Sequence, residues 1–321
     1  MKIGSTEIPT NILLAPLAGC SDLAFRSIAR EHGAKFCFFE MIDTNAVVYG
    51  PKFRTRYILK TFESDLPIAA QLLGREPSMM LKAAREIIES SNISFLDINA
   101  ACPAKKAIKK KTGAYLLNDG KTLNKVIKAL AAALPVPVTV KIRIGYDTTD
   151  IRSLAKLAKG CESSGASAIF VHGRTRVQQY AGEIDYAAIK AVKESVHIPV
   201  IGSGNIFDVG SAKKMFTETG CDAINVARGA LGNPWIFSQI ADYIKNGTLP
   251  TAINTKTRID VLKRHLAYID RYKEGRPLSK VGYMRKVVFW YARGFPNAPR
   301  LRGQISVVKS YEMMLKLIDS I

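Results

Sequence analysis

Histidine is scarce in this chain, four among 321 residues, and no HExxH motif is present. Cysteine is little better represented: Cys20, Cys37, Cys102, Cys161 and Cys221 are odd in number, widely spaced and without a CxxC pair. That pattern fits neither a disulfide framework nor a zinc site, and no metal is expected. Long apolar runs are missing too, since Pro135 and Pro137 interrupt the stretch 129–140. With no basic-then-apolar segment at its start, the chain is expected to be soluble and cytoplasmic, with no membrane partner. A monomer is expected. Acid is also in short supply: 27 Asp and Glu stand against 47 Lys and Arg, a net charge of +20. Solubility alone requires far less, and the excess implies an extended anionic partner such as nucleic acid or an acidic surface.

What is present is a repeated alternation. Eight short β-rich runs occur at Asn11–Ala15, Phe36–Glu40, Ile68–Leu73, Phe95–Asn99, Val138–Ile142, Ala168–His172, Val200–Gly202 and Ala223–Val226. Each is followed by a segment of helical periodicity, clear everywhere except after the second run, between Asp43 and Lys60. The runs are almost continuously apolar, as parallel strands buried on both faces are. Eight such units in about 250 residues predict an α/β fold, a (β/α)8 TIM barrel. After Asn246 the pattern changes to helices without strands. The expected division is a barrel over residues 1–246 and a small all-helical C-terminal domain over 247–321. That last segment holds 15 Lys or Arg against 5 Asp or Glu, half of the chain's net charge. Tyr268, Tyr272, Tyr283, Trp290, Tyr291, Phe295 and Tyr311 are interleaved with its basic residues. For most of these aromatics, packing in a small bundle explains more than base stacking does.

A barrel of this kind works at the carboxyl ends of its strands. There the second run ends in Glu40, the third carries Gln71, the fourth ends in Asn99 and the sixth in His172. On the fifth, Thr139, Lys141 and Arg143 alternate with Val138, Val140 and Ile142, so Lys141 points into the barrel mouth and requires an electronegative partner. The last two runs lead into the glycine-bearing turns GSGNI at 202–206 and ARGALGNP at 227–234. In that location such turns cradle phosphate, with Arg228 adding charge. APLAG at 15–19 sets small residues and Pro16 at the first exit, suited to a flat ring. A lysine and a glutamine over such a ring suit a flavin. FMN fits better than FAD, because no GxGxxG turn is present to hold a pyrophosphate.

Residues 95–111, FLDINAACPAKKAIKKK, join this polar rim to a thiol, Cys102, and to Lys105, Lys106, Lys109, Lys110 and Lys111. Alone, the stretch also reads as a surface loop after a buried strand, with Cys102 a small core residue.

Taken in order, APLAGCSD, FEMI, QLLG, DINAACP, VKIRIG, HGRT, GSGNI and ARGALGNPWIF resemble the tRNA-dihydrouridine synthases, most closely the bacterial B type. The likeness runs from about Asn11 to Phe237, and the basic helical tail is similar to that family's RNA-binding domain. The resemblance implies an FMN-bearing barrel that uses NADPH to reduce the C5=C6 bond of particular uridines in tRNA. It implies Cys102 as proton donor and Asn99 as a contact to flavin and target base. Pro16, Leu17, Ala18, Gln71 and Lys141 would hold the ring and ribityl portions, with His172 alongside, and Ser203, Gly204, Asn205, Ala227 and Arg228 the phosphate. Arg174 would lie near the flavin or the RNA, and the lysine rim with Arg285 and Lys286 of the tail would meet tRNA. Four positions, at three places in the chain, depart from the family's habit. Ser203-Gly204-Asn205 replaces Asn-Gly-Asp, Ala101 stands where glycine is common, and Thr112 interrupts a run of small residues. Two other readings compete: an FMN barrel acting on a free pyrimidine, which has no need of the basic tail, and a non-enzymatic RNA-binding protein, which leaves Cys102 and the polar strand ends unexplained.

Overall fold

The computed structural model describes residues 1–295 and 298–321. Eight parallel strands form the expected barrel: Ile12–Leu14, Cys37–Phe38, Ile68–Leu73, Leu96–Ala100, Val138–Arg143, Ile169–His172, Val200–Ser203 and Ala223–Val226. Each pairs with its sequence neighbour from the second to the eighth, and the eighth pairs with the first through Ile224 opposite Ile12. The Leu14 N–H donates to the Phe36 carbonyl at 3.0 Å, linking first strand to second. The second strand is shorter than its apolar run. The chain leaves the sheet around Glu40, whose carboxylate accepts the Gly19 N–H, and returns as a two-residue strand, Ile42–Asp43, opposite Leu72 and Leu73.

Helices cover the barrel, and most begin where the sequence supplies an aspartate. Asp22, Asp119, Asp150, Asp185 and Asp208 each accept a backbone N–H in the first turn of the helices Leu23–Glu31, Gly120–Ala133, Ile151–Ser163, Tyr186–Ser195 and Val209–Thr219. Such caps contribute about 1 kcal/mol each. The unclear second unit contains two short helices, Thr44–Tyr49 and Lys52–Ile58, separated by Gly50 and Pro51. Pro51 precedes the second helix and cannot donate to continue the first.

The barrel interior has two unlike halves. Its lower half is plugged by Phe36, Phe38, Phe95 and Phe170, with Phe36 and Phe95 stacked at 5.3 Å between centroids. The hairpin pairing Lys2–Ile3 with Thr6–Glu7, turned at Gly4, adds Ile3 and the adjoining Ile8 to this cluster. Further along the same strands the inward positions turn polar: Gln71, Asp97, Asn99, Thr139, Lys141, His172, Ser203 and Asn225. Alternation of side chains makes both halves, aromatic at one level and hydrogen-bonding at the next.

Among the described residues of the tail there are four α-helices, Thr255–Tyr272, Pro277–Tyr291, Ala298–Ser306 and Tyr311–Asp319. The first lies against Leu23–Glu31, where Arg264 Nη1 meets Glu31 Oε2 at 2.9 Å and Phe25 sits 5.9 Å from the His265 ring. The described aromatics of the tail are largely packed, as Trp290 is edge-on to Phe25 and Tyr291 is buried against His265. Among the described residues no helix is long and apolar enough to cross a membrane.

A buried ion pair secures the loops beside the first two strands. Arg26 donates Nε to Asp65 Oδ2 at 2.9 Å and Nη1 and Nη2 to the carbonyls of Ser21 and Lys60. Asp65→Ala would strand the enclosed guanidinium, a loss of about 3–5 kcal/mol by precedent for broken buried pairs. A clear fall in the thermal midpoint is the expected result; an unchanged melt would show that the pair contributes nothing net.

Candidate active site

The pocket opens at the carboxyl ends of the strands. Pro16, Leu17, Ala18, Gln71, Asn99, Cys102, Lys141, His172, Ser203, Gly204, Asn205, Ala227 and Arg228 all line one cavity of about 250 Å3. Every residue expected at a cofactor, together with the expected proton donor, is therefore in one place.

A hydrogen-bond chain fixes one wall. Asn99 Nδ2 donates to Gln71 Oε1 at 2.7 Å, and Gln71 Nε2 donates to Asp97 Oδ2 at 2.6 Å. Thr139 Oγ1 donates to Asp97 Oδ1 at 2.6 Å. Burial pushes the Asp97 carboxyl up to about 6, while these bonds and Lys141 act to lower it. Asn99 uses its other end locally: Oδ1 accepts the N–H groups of Ala101 and Cys102 at 3.0 and 2.8 Å, folding the chain that carries the thiol. The Cys102 carbonyl accepts from Ala114 at 3.0 Å. Gly113 allows this closeness, since a Cβ there would lie 2.8 Å from the Cys102 carbonyl oxygen.

The opposite requirement holds at Lys141. Its ammonium is buried without a hydrogen-bond partner, 5.6 Å from the Phe170 ring centroid. Burial lowers it to about 8, with Asp97 opposing and Arg143 reinforcing the shift. Arg143 donates to the carbonyls of Ala101, Thr175 and Gln179, so its charge faces the same concavity. His172 is held well below its usual range, chiefly by burial and then by Arg143, Lys141, Arg174 and Arg228. The imidazole is neutral at physiological pH. Lys141, Arg143 and Arg228 line the pocket, with the Asp97 carboxylate behind its wall, so the interior is positive.

The strand-seven turn has the backbone of an anion cradle. Gly204 has φ +126°, a conformation strained for any residue that carries a side chain. Asn205 is also left-handed, φ +49°. Its Oδ1 accepts from Arg174 Nη1 at 3.1 Å and from Arg228 Nη2 at 3.3 Å. Asn205 thus bridges two arginines.

Some expected residues have other surroundings. Arg174 is 1% exposed and does not line the cavity; its guanidinium is committed to Asn205 and the Ala181 and Gly182 carbonyls. It braces the strand-seven turn from behind, on the flavin side of the two places expected for it. Arg285 is half-buried, with Nε donating to the Val308 carbonyl at 2.9 Å, and Lys286 donates to the Gly19 carbonyl beside the pocket mouth. Both hold tail helices in place, because free backbone carbonyls at loop ends attract cationic donors. By contrast Lys105, Lys106, Lys109, Lys110 and Lys111 are all exposed, on and after the short helix Lys105–Lys109, with Lys110 3.0 Å from Asp43. Sequence reasoning passed over Cys20, Met41, Tyr180, Phe207 and Asn225, which also line the cavity. Asn225 had a signal: in the run Ala223–Val226 it alternates inward with Ala223.

The model of the dihydrouridine synthase (Dus) family matches residues 13–320. The chain belongs to the dihydrouridine synthase family. The match includes the helical tail as well as the barrel. The chain is 37% identical over 311 residues to a probable tRNA-dihydrouridine synthase of Rickettsia conorii, covering 96% of this chain and 92% of the relative. It is 36% identical over 307 residues to tRNA-dihydrouridine synthase B of Pseudomonas aeruginosa, covering 95% and 91%. Among solved structures it resembles a morphinone reductase mutant, with TM-score 0.56 and 14% identity over 80% of this chain and 92% of the other. The old yellow enzyme of Trypanosoma cruzi superposes with TM-score 0.57 and 12% identity over 80% and 94%. At such identities these last two establish the barrel alone. The family match of this dihydrouridine synthase thus runs beyond the strand-end motifs to nearly the whole chain.

Proposed function

We propose that this pocket holds FMN, reduced by NADPH, and that the protein is a flavin-dependent tRNA-dihydrouridine synthase saturating the C5=C6 bond of a uridine in tRNA. The observation that carries the reading is Lys141: a buried ammonium without a partner in a positive concavity calls for an electronegative ring edge. Pro16, Leu17, Ala18, Gln71 and Lys141 would hold the isoalloxazine, with His172 and Asn99 beside it. Ser203, Gly204, Asn205, Ala227 and Arg228 would hold the phosphate. When bound, the cofactor supplies hydride for uracil C6.

The protein's own groups do the rest. Negative charge developing at C5 and O4 of the base requires a proton at C5, and Cys102 at the pocket mouth is the assigned donor. Asn99, already fixed by Gln71, positions both the base and the loop bearing that thiol. The base must leave the stacked RNA to enter, at a cost of a few kcal/mol. Contacts along the phosphates offset it. Residues 1–246 would serve as the catalytic unit and 247–321 as an RNA-binding unit, acting as a cytoplasmic monomer. In the tail, exposed Arg276, Arg293, Arg300, Arg302 and Lys309 suit this role better than Arg285 or Lys286.

Purified protein should show a flavin spectrum and release FMN on denaturation; a colourless protein that FMN cannot reconstitute would refute the assignment. The lysine rim has its own test. Neutralising Lys109, Lys110 and Lys111 together should lower the slope of log affinity for tRNA against log salt by roughly one unit for each phosphate that loses its lysine. An unchanged slope would leave these lysines merely solvated.

A further inference from the structure

Among the described residues lining the pocket, two have buried side-chain polar atoms without a partner: Lys141 and Asn225. Asn225 is the stranger case. It is 1% exposed, and both its Oδ1 and its Nδ2 are unpartnered. A carboxamide buried in this way costs about 1–3 kcal/mol for each unpaired group, and an aliphatic side chain of similar size would avoid that cost. Its inward neighbour on the same strand, Ala223, belongs to the apolar plug, so the barrel itself gives no reason for a polar group one level higher.

We infer that Asn225 is a cofactor-binding residue whose carboxamide hydrogen-bonds the ribityl chain of the flavin. The inference rests on the FMN reading of the pocket and adds a residue to it. Its place on the strands argues for the ribityl portion. Asn225 pairs with Ser203, which opens the strand-seven turn, and it precedes Ala227 by two residues. At about 3.3 Å per residue it lies roughly 7 Å below the strand-eight turn. Gln71, Asn99 and Lys141 occupy the third, fourth and fifth strands, across the barrel. The part of FMN between phosphate and ring is a polyol. Each of its hydroxyls can both donate and accept, as a carboxamide with both ends unpaired requires.

The test uses flavin-free protein and compares wild type with Asn225→Leu. Binding of FMN, riboflavin and lumiflavin, which lacks the ribityl chain, is followed by quenching of flavin fluorescence. Asn225→Leu should weaken FMN and riboflavin roughly tenfold or more, leave lumiflavin unchanged, and raise the melting temperature of the flavin-free protein. Equal weakening of lumiflavin would put the contact on the ring and overturn the inference. Unchanged FMN affinity with a lowered melting temperature would also overturn it, making Asn225 a structural group. Should the leucine variant not fold, Asn225→Ala, which only removes atoms, gives the same comparison of the three flavins. Wild-type protein that binds no FMN would defeat the reading of the pocket itself, an outcome distinct from FMN binding that ignores residue 225.

Discussion

Cys102→Ala should leave reduction of the bound flavin by NADPH intact while dihydrouridine formation falls by about 10^2–10^4, the usual loss for a positioned general acid. The two half-reactions separate because the thiol is half-buried on a loop, while Gln71, His172 and the ammonium of Lys141 are buried on strands. Removing Sγ leaves the loop's supports, since Asn99 accepts the backbone N–H of residue 102 and Ala114 donates to its carbonyl. The loss should therefore appear in turnover and not in folding or flavin content. The five lysines that follow in sequence are all exposed, with Lys110 directed to Asp43, so phosphates can reach them. Full activity of the alanine variant with tRNA would remove the acid role.

Lys141→Met should lose flavin and gain stability when flavin-free. The buried ammonium is held at about 8, below its ordinary 10.5, so the unfolded chain binds that proton more tightly than the folded one. The resulting penalty is complete below pH 8 and fades as pH rises from about 8 to 10.5, so flavin-free wild type should become more stable across that window. At about 1.4 kcal/mol per unit the penalty is on the order of 3 kcal/mol. Methionine keeps the length and omits the charge, so the variant's melting temperature at pH 7 should exceed that of wild type and lose this part of its pH dependence. Flavin binding has the opposite sign. An electronegative ring edge stabilises the ammonium, so wild-type affinity should weaken as pH rises above 8. A methionine variant that purifies fully yellow would show that Lys141 has been given the wrong partner.

Much of this architecture was legible in the residues. Parallel strands buried on both faces leave runs such as IAAQLL and VTVKIR, and aspartates ahead of helices mark the starts of the covering layer. The second unit was obscure because its course is decided by tertiary bonds: Glu40 turns to Gly19, and Gly50 and Pro51 divide its helix. At the site, Asn99 and His172 could be placed as strand ends, Gln71 near the end of the third run and Lys141 by alternation along the fifth. Tyr180 and Phe207 come from loops, and no local pattern announces that they meet at Arg228, 5.1 and 5.5 Å from its guanidinium. Arg174 and Arg285 show the other limit. A guanidinium bonded to a backbone carbonyl and one bonded to a phosphate look the same in sequence, because the carbonyl belongs to every residue alike. At the strand-seven turn the backbone carries the geometry through Gly204, and Asn205 bridges two arginines.

The most direct test is a single-turnover reaction. Protein reduced with NADPH, with excess reductant removed, is mixed without oxygen either with tRNA lacking dihydrouridine or with free uridine, and both flavin oxidation and dihydrouridine are followed. Flavin oxidation matched by dihydrouridine in the tRNA, with free uridine slower by orders of magnitude, is the predicted result. Equal oxidation by the free nucleoside, or oxidation by tRNA without dihydrouridine, would contradict it.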